Sequence, residues 1–252
     1  MIKFFRKIRR RLLSENKFSQ YIFYAIGEIV LVVIGILIAL QINNYSESSK
    51  IRKQEISLLK NLNSEIKLDI LQIQNNATST SNRLKKLDSL IQQLERPTEV
   101  DRAQFIQESF DFVIDNYFKS NSGIFDEAVS SGRMSFLQNE KLRQHVFDYY
   151  RNAEENSGES TTRLVTDELI TPIFVETLFI NPEGFSSLGL NVQNISYLDN
   201  IDLEELRENK EFWKMVLLKF GSNREQLSRL EQIRNLAEEV SREIERELEK
   251  IE

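Results

Sequence analysis

Glu28 is the one formally charged residue in Tyr21 to Ile42, a run of twenty-two positions that is otherwise apolar or uncharged. Seven residues into an α-helix place it ~10 Å along the axis. An ionised carboxylate at that depth in hydrocarbon is costly, and intramembrane acids commonly face a partner helix, a polar cavity or a proton path. The alternative is a side chain that snorkels to the nearby headgroups. Gly35 and Ala39 lie seven and eleven residues beyond Glu28, on nearly the same helical face, and form a small-xxx-small pair of the kind that lets membrane helices approach closely. Glu28, Gly35 and Ala39 are therefore candidates for contact between membrane helices.

Soluble chemistry is harder to find. The single histidine, His145, has Asp148 and Glu140 nearby in sequence, but a catalytic centre needs a convergent constellation and none is visible. Adjacent acids such as Glu154 and Glu155, or Glu238 and Glu239, do not share a helix face and read as solvated surface. Zero Cys excludes disulfides, thiolate metal sites and Cys nucleophiles, and one His excludes His clusters. No phosphate-binding Gly loop, Walker motif, G-x-S-x-G elbow or H-E-x-x-H motif occurs. The expectation is a protein with no catalytic residues, no cofactor and no metal.

The elements that would carry these residues begin with a membrane anchor. Tyr21 to Ile42 has the ~20 apolar residues that a helix needs to cross a ~30 Å hydrocarbon layer. A cleaved secretory signal would have a shorter apolar stretch and a small-x-small exit, whereas this one leaves through Ala39-Leu40-Gln41-Ile42-Asn43-Asn44. Seven of the first seventeen residues are Lys or Arg, which places the N-terminus in the cytoplasm and the long remainder outside it. Lys3, Arg6, Lys7, Arg10 and Arg11 fall largely opposite Met1, Phe4, Phe5, Ile8 and Leu12 on a helical projection. They are candidate contacts to anionic lipid, although a simple positive-inside signal explains the same residues.

Removing those seventeen residues, seven basic and one acidic, from a net charge of −6 leaves −12 on Phe18 to Glu252, which argues against a nucleic-acid partner. Eight Gly and three Pro among 252 residues leave few interruptions, and apolar positions recur at threes and fours, so an all-α fold is predicted. Leu59, Leu62, Ile66, Ile70, Ile73, Ala77, Thr80, Leu84, Leu87, Ile91 and Leu94 form one stripe, which Pro97 ends. Leu227, Leu230, Ile233, Ala237, Val240, Ile244, Leu248 and Ile251 form a second. Of 24 aromatic residues, 17 lie from Phe105 to Phe220 and none between Ser46 and Gln104 or after Phe220.

These patterns predict residues 1–20 as a basic amphipathic cytoplasmic segment, 21–42 as a transmembrane helix and 43–252 as an extracytoplasmic helical domain. Within that domain a rod (46–96) leads to an aromatic-rich head (98–220), and a C-terminal helix (221–252) returns antiparallel along the rod. A parallel coiled coil between copies is the rival pairing. Either should be loosest at Ala77 and Thr80. Inside the head, Ser120 to Gly123 offers caps for a helix stopped by Gly132, and Asn139-Glu140 starts another with Leu142, Val146, Tyr149 and Tyr150 buried. The helix of Thr161 to Phe179 should break or kink at Thr171-Pro172, and residues 181–202 read as a long loop.

The run Tyr24 to Asn44, YAIGEIVLVVIGILIALQINN, resembles the opening of a domain-of-unknown-function family of single-span envelope proteins from Bacteroidota-type bacteria. Ser130-Ser131-Gly132, Asn139-Glu140-Lys141-Leu142-Arg143 and Tyr149-Tyr150 are similar to that family's central pattern. The resemblance implies a location, the bacterial inner membrane with the C-terminal domain in the periplasm, and a shape, but no activity. The resulting expectation is a membrane-anchored interaction or sensing module whose partners are membrane lipid and a protein, or a second copy through the transmembrane helix or rod. A periplasmic small-molecule receptor is the alternative, and a periplasmic enzyme built on carboxylates, Lys or Tyr a further one.

Overall fold

The computed structural model describes residues 18–157, 159–179 and 202–251. Every described element is helical, as the residue spacing predicts. Helix α1 runs from Phe18 to Gln93, and two compact units, Met1–Glu55 and Ile56–Glu252, meet within its sequence. In the first unit the apolar side chains of Ile29 to Leu40 are exposed, and among the described residues this is the one helix long and apolar enough to cross a membrane.

In the second unit α1 ends in a tightened turn, with the amides of Leu94, Glu95 and Arg96 donating to carbonyls three residues back, before Pro97 starts a 3-10 turn over Pro97–Glu99. Arg96 leaves the helical region (φ −133°, ψ 67°), as the residue before proline tends to. Short helices follow: α2 (Arg102–Ser109), α3 (Gly123–Ser130), α4 (Glu140–Glu155), α5 (Glu159–Arg163), α6 (Thr171–Phe174) and α7 (Leu203–Glu208). Helix α8 (Lys210–Ile251) then returns along α1.

Three polar contacts fix the direction of that return. Ser241 Oγ donates to Asn63 Oδ1 at 2.7 Å, Thr80 Oγ1 to Gln226 Oε1 at 3.2 Å, and Arg83 Nη1 to Asn223 Oδ1 at 3.0 Å. Numbers rise on α1 as they fall on α8, so the pairing is antiparallel and within the chain. All eleven stripe positions from Leu59 to Leu94 are buried or half-buried, as are all eight from Leu227 to Ile251. At ~1.5 to 3 kcal/mol for each fully buried large aliphatic side chain, this seam outweighs the salt pairs on the α8 surface.

Helix α8 begins at Lys210 and not near residue 221. Asn209 Oδ1 accepts from the amides of Glu211 (2.9 Å) and Phe212 (3.1 Å), a side-chain cap, and Phe212, Met215 and Val216 then enter the core. The last aromatic residues of the predicted head are thus the first turns of the return helix. The segment around Thr80 also differs from expectation, because it is a buried polar layer and not a loose one. That layer separates two apolar cores. One gathers Leu59, Leu62, Ile66, Tyr149, Ile233 and Ile244, the other Leu87, Leu90, Phe105, Phe112, Phe174 and Phe212.

Pro172 does not break its helix. Thr171 keeps α-helical angles (φ −57°, ψ −42°), and wider π turns over Leu164–Ile170 and Val175–Phe179 flank α6. The Thr166 carbonyl accepts both the amide and the hydroxyl of Thr171, five residues on, so the chain ahead of the proline is widened where the ring would otherwise meet it. The long loop predicted over residues 181–202 lies outside the described residues except for Asp202, whose carboxylate caps α7 at the amides of Glu204 and Glu205.

Candidate functional site

Two acids one turn apart on α1, Glu65 and Asp69, organise the ground between α1, α3 and α4. The first amides of a helix lack partners inside it. For α3 the expected caps do not fill that role, since the Ser122 hydroxyl donates instead to Asp126 Oδ2 at 2.8 Å. Glu65 does so from the neighbouring helix, accepting from the amides of Ile124 (2.7 Å) and Phe125 (3.4 Å). Asp69, fully buried, accepts from the Asn121 amide (2.8 Å), the Asn121 side chain (2.6 Å) and the Ser120 hydroxyl (2.8 Å).

The same carboxylates receive the consecutive tyrosines of α4. Tyr149 Oη donates to Asp69 at 2.6 Å and Tyr150 Oη to Glu65 at 3.2 Å. Burial, and then the adjacent negative charge, push both phenols well above the usual tyrosine range, so they act as permanent donors. The left-handed turn at Gly132 (φ 75°) and the Asn139 cap on the Leu142 amide (3.1 Å) set the start of α4.

Held in this way, α3 and α4 leave an open cavity of about 480 Å³ between them. Its apolar wall is Phe118, Phe125, Val129, Phe147 and Tyr150. Phe125 lies stacked on Tyr150 with centroids 4.2 Å apart and edge-on to Phe147 at 5.3 Å. Charged side chains of both signs stand at the mouth: Lys119 and Arg151, Asp126 and Glu154. An aromatic wall edged by exposed charged side chains, at this volume, has the general make-up of a small-molecule site.

The polar layer is the second cluster of charge. Asp115 Oδ1 accepts from Lys219 Nζ at 2.9 Å and lies 3.5 Å from Arg83 Nη1, while its other oxygen takes the Thr166 hydroxyl. Lys219 also donates to the Ile114 carbonyl at 3.0 Å, and Gln226 to the Asn116 carbonyl. Lys219 is fully buried, and desolvation pulls its pKa down to about 8 although Asp115 opposes the fall. This layer clamps the segment before α3 to both long helices and has the partners expected of a structural tie.

Of the residues singled out from sequence, Glu28 is half-buried, while Gly35 and Ala39 are exposed, with open space where a Gly35 Cβ would stand. Lys3, Arg6, Lys7, Arg10 and Arg11 lie outside the described residues. His145 meets neither Asp148 nor Glu140; its Nδ1 is 2.7 Å from Glu243 Oε2 on α8, a tie between two helices. Among the described residues no three His, Cys, Asp or Glu side chains converge as a metal site would need. Glu65, Asp69, Asp115 and Lys219 were not singled out. The signal was there, because Asp69 sits between Ile66 and Ile73 on the buried stripe, a place where an acid needs buried donors.

Residues 28–156 match the model of a family of unknown function, DUF6090. The chain belongs to that family. No curated protein and no solved structure is significantly similar to it. The span matched to DUF6090 takes in most of the apolar run, both α1 acids, the tyrosine pair, and every lining residue of the cavity except Ser157. Helix α8 and most of the second apolar core lie beyond it.

Proposed function

We propose that this DUF6090 chain is a single-pass, membrane-anchored helical module of the bacterial envelope, with its N-terminus cytoplasmic and its helical domain in the periplasm, working by interaction or sensing and without catalysis. The observation that carries the reading is the contrast along α1. The apolar side chains of Ile29 to Leu40 are exposed in a way that only lipid or a partner helix relieves, whereas the stripe from Leu59 to Leu94 is packed within cores made by the chain's own helices, with Leu68 and Leu71 left exposed on the opposite face. The basic residues ahead of the span support the orientation and contact with anionic lipid.

Protein partners, or a second copy, meet the module through the transmembrane face of Glu28, Gly35 and Ala39. Crosslinking in the cell followed by identification of the captured chains tests this. Glu28→Leu should weaken capture while the protein stays in the membrane after alkaline carbonate washing; unchanged capture would remove the intramembrane contact from the proposal, and loss of the wild-type chain to the wash would remove the anchor. The open cavity between α3 and α4 favours a second reading, a small-molecule receptor, in which the sensing is of a ligand bound there.

A further inference from the structure

We infer that the cavity between α3 and α4 takes a small zwitterion with an aromatic or branched apolar body, the chemistry of an apolar amino acid or of a di- or tripeptide. The inference rests on the receptor reading and names its ligand class. The 480 Å³ volume falls inside the range of ~300 to 1,000 Å³ usual for small-molecule sites. The wall offers ring faces and edges from Phe125, Phe147 and Tyr150, and a planar or branched apolar group packs on such a surface by burial and offset stacking. Val129, 43% exposed, extends the apolar surface to the mouth.

The charge arrangement selects among apolar ligands. Arg151 is engaged by Asp148, and Asp126 accepts the Ser122 hydroxyl. The Lys119 ammonium, from the segment before α3, and the Glu154 carboxylate, from the last turn of α4, have no hydrogen-bond or ion-pair partner among the described residues. A bare hydrocarbon would use only the aromatic wall and neither charge. A ligand with one charge would satisfy one and be repelled by the other. A molecule carrying an ammonium and a carboxylate satisfies both, its carboxylate toward Lys119 and its ammonium toward Glu154 and Asp126.

The test uses the whole protein in nanodiscs and titrates L-phenylalanine, the dipeptide L-Phe-L-Ala, and three analogues: phenylpropionate, which lacks the ammonium, phenethylamine, which lacks the carboxylate, and N-acetyl-phenylalanine amide, which lacks both charges. Saturable binding of the amino acid or the dipeptide is expected, at least tenfold tighter than any of the three analogues, and the better of the two separates a free amino acid from a peptide. Lys119→Ala and Glu154→Ala should each weaken it about tenfold. Both positions are at the surface, so folding is not at stake. Val129→Trp, which fills the mouth, should abolish binding without moving the melting temperature. If the analogues bind as tightly as the zwitterions and Val129→Trp still blocks them, the receptor reading stands and the zwitterion assignment falls. If no probe binds saturably at millimolar concentration, both fall.

Discussion

A buried charge is tolerated only where its partners are fixed, and the two acidic residues Asp69 and Asp115 show two solutions. Asp69 is surrounded by neutral donors, so its neighbours can lose one hydrogen bond without leaving an opposing charge stranded. Asp115 is the buried anion between two cations. Asp115→Asn should therefore destabilise the protein more than Lys219→Met, since the first leaves Lys219 and Arg83 with only Asp111, already paired with Lys86, as counter-charge, while the second leaves Asp115 with Arg83. Breaking a buried pair costs about 3 to 5 kcal/mol, and denaturant unfolding of the two variants would show Asp115→Asn at or above that range and Lys219→Met below it. The tyrosines give a pH signature. With folded pKa values raised above the unfolded value near 10, their contribution is fully present below pH 10 and is lost as the unfolded phenols ionise above it. Each contributes a fall of up to about 1.4 kcal/mol per pH unit, so stability should drop less steeply above pH 10 in the double variant Tyr149→Phe, Tyr150→Phe than in the wild type. Equal slopes would mean the phenols ionise in the folded protein as readily as in the unfolded chain.

Among the elements, α1 and the later turns of α8 were the parts legible in the sequence, because leucine and isoleucine at threes and fours admit one reading over so many turns. The beginning of α8 was not. Its core stripe continues upstream of Leu230 through Gln226, Asn223 and Lys219 to Met215, the same spacing with polar residues, and a search for apolar period stops where the polar layer begins. Pro172 misled in the other direction, since a local preference against helix yielded to a widened turn held by Thr171. For the candidate site, the short helices and their caps at Gly132 and Asn139 could be read locally, while the capping of α3 by Glu65 could not, the donor and acceptor being 59 positions apart. Asn209→Ala tests the revised start of α8. Loss of its two capping bonds should cost ~1 kcal/mol in thermal or denaturant unfolding, whereas a helix that truly began near residue 221 would leave stability unchanged.

For the whole molecule, the absence of cysteine from the sequence gives a direct route to topology. Ser228 lies on the exposed face of α8, within the helical domain and away from both cores, so Ser228→Cys introduces a single reactive thiol with no loss of packing. Treating intact spheroplasts with a membrane-impermeant maleimide asks on which side of the membrane that thiol lies. Labelling before lysis, to the same extent as after it, is the expected result for a domain held outside the cytoplasm by the apolar run of α1. Labelling only after lysis would place the domain in the cytoplasm and contradict the proposal.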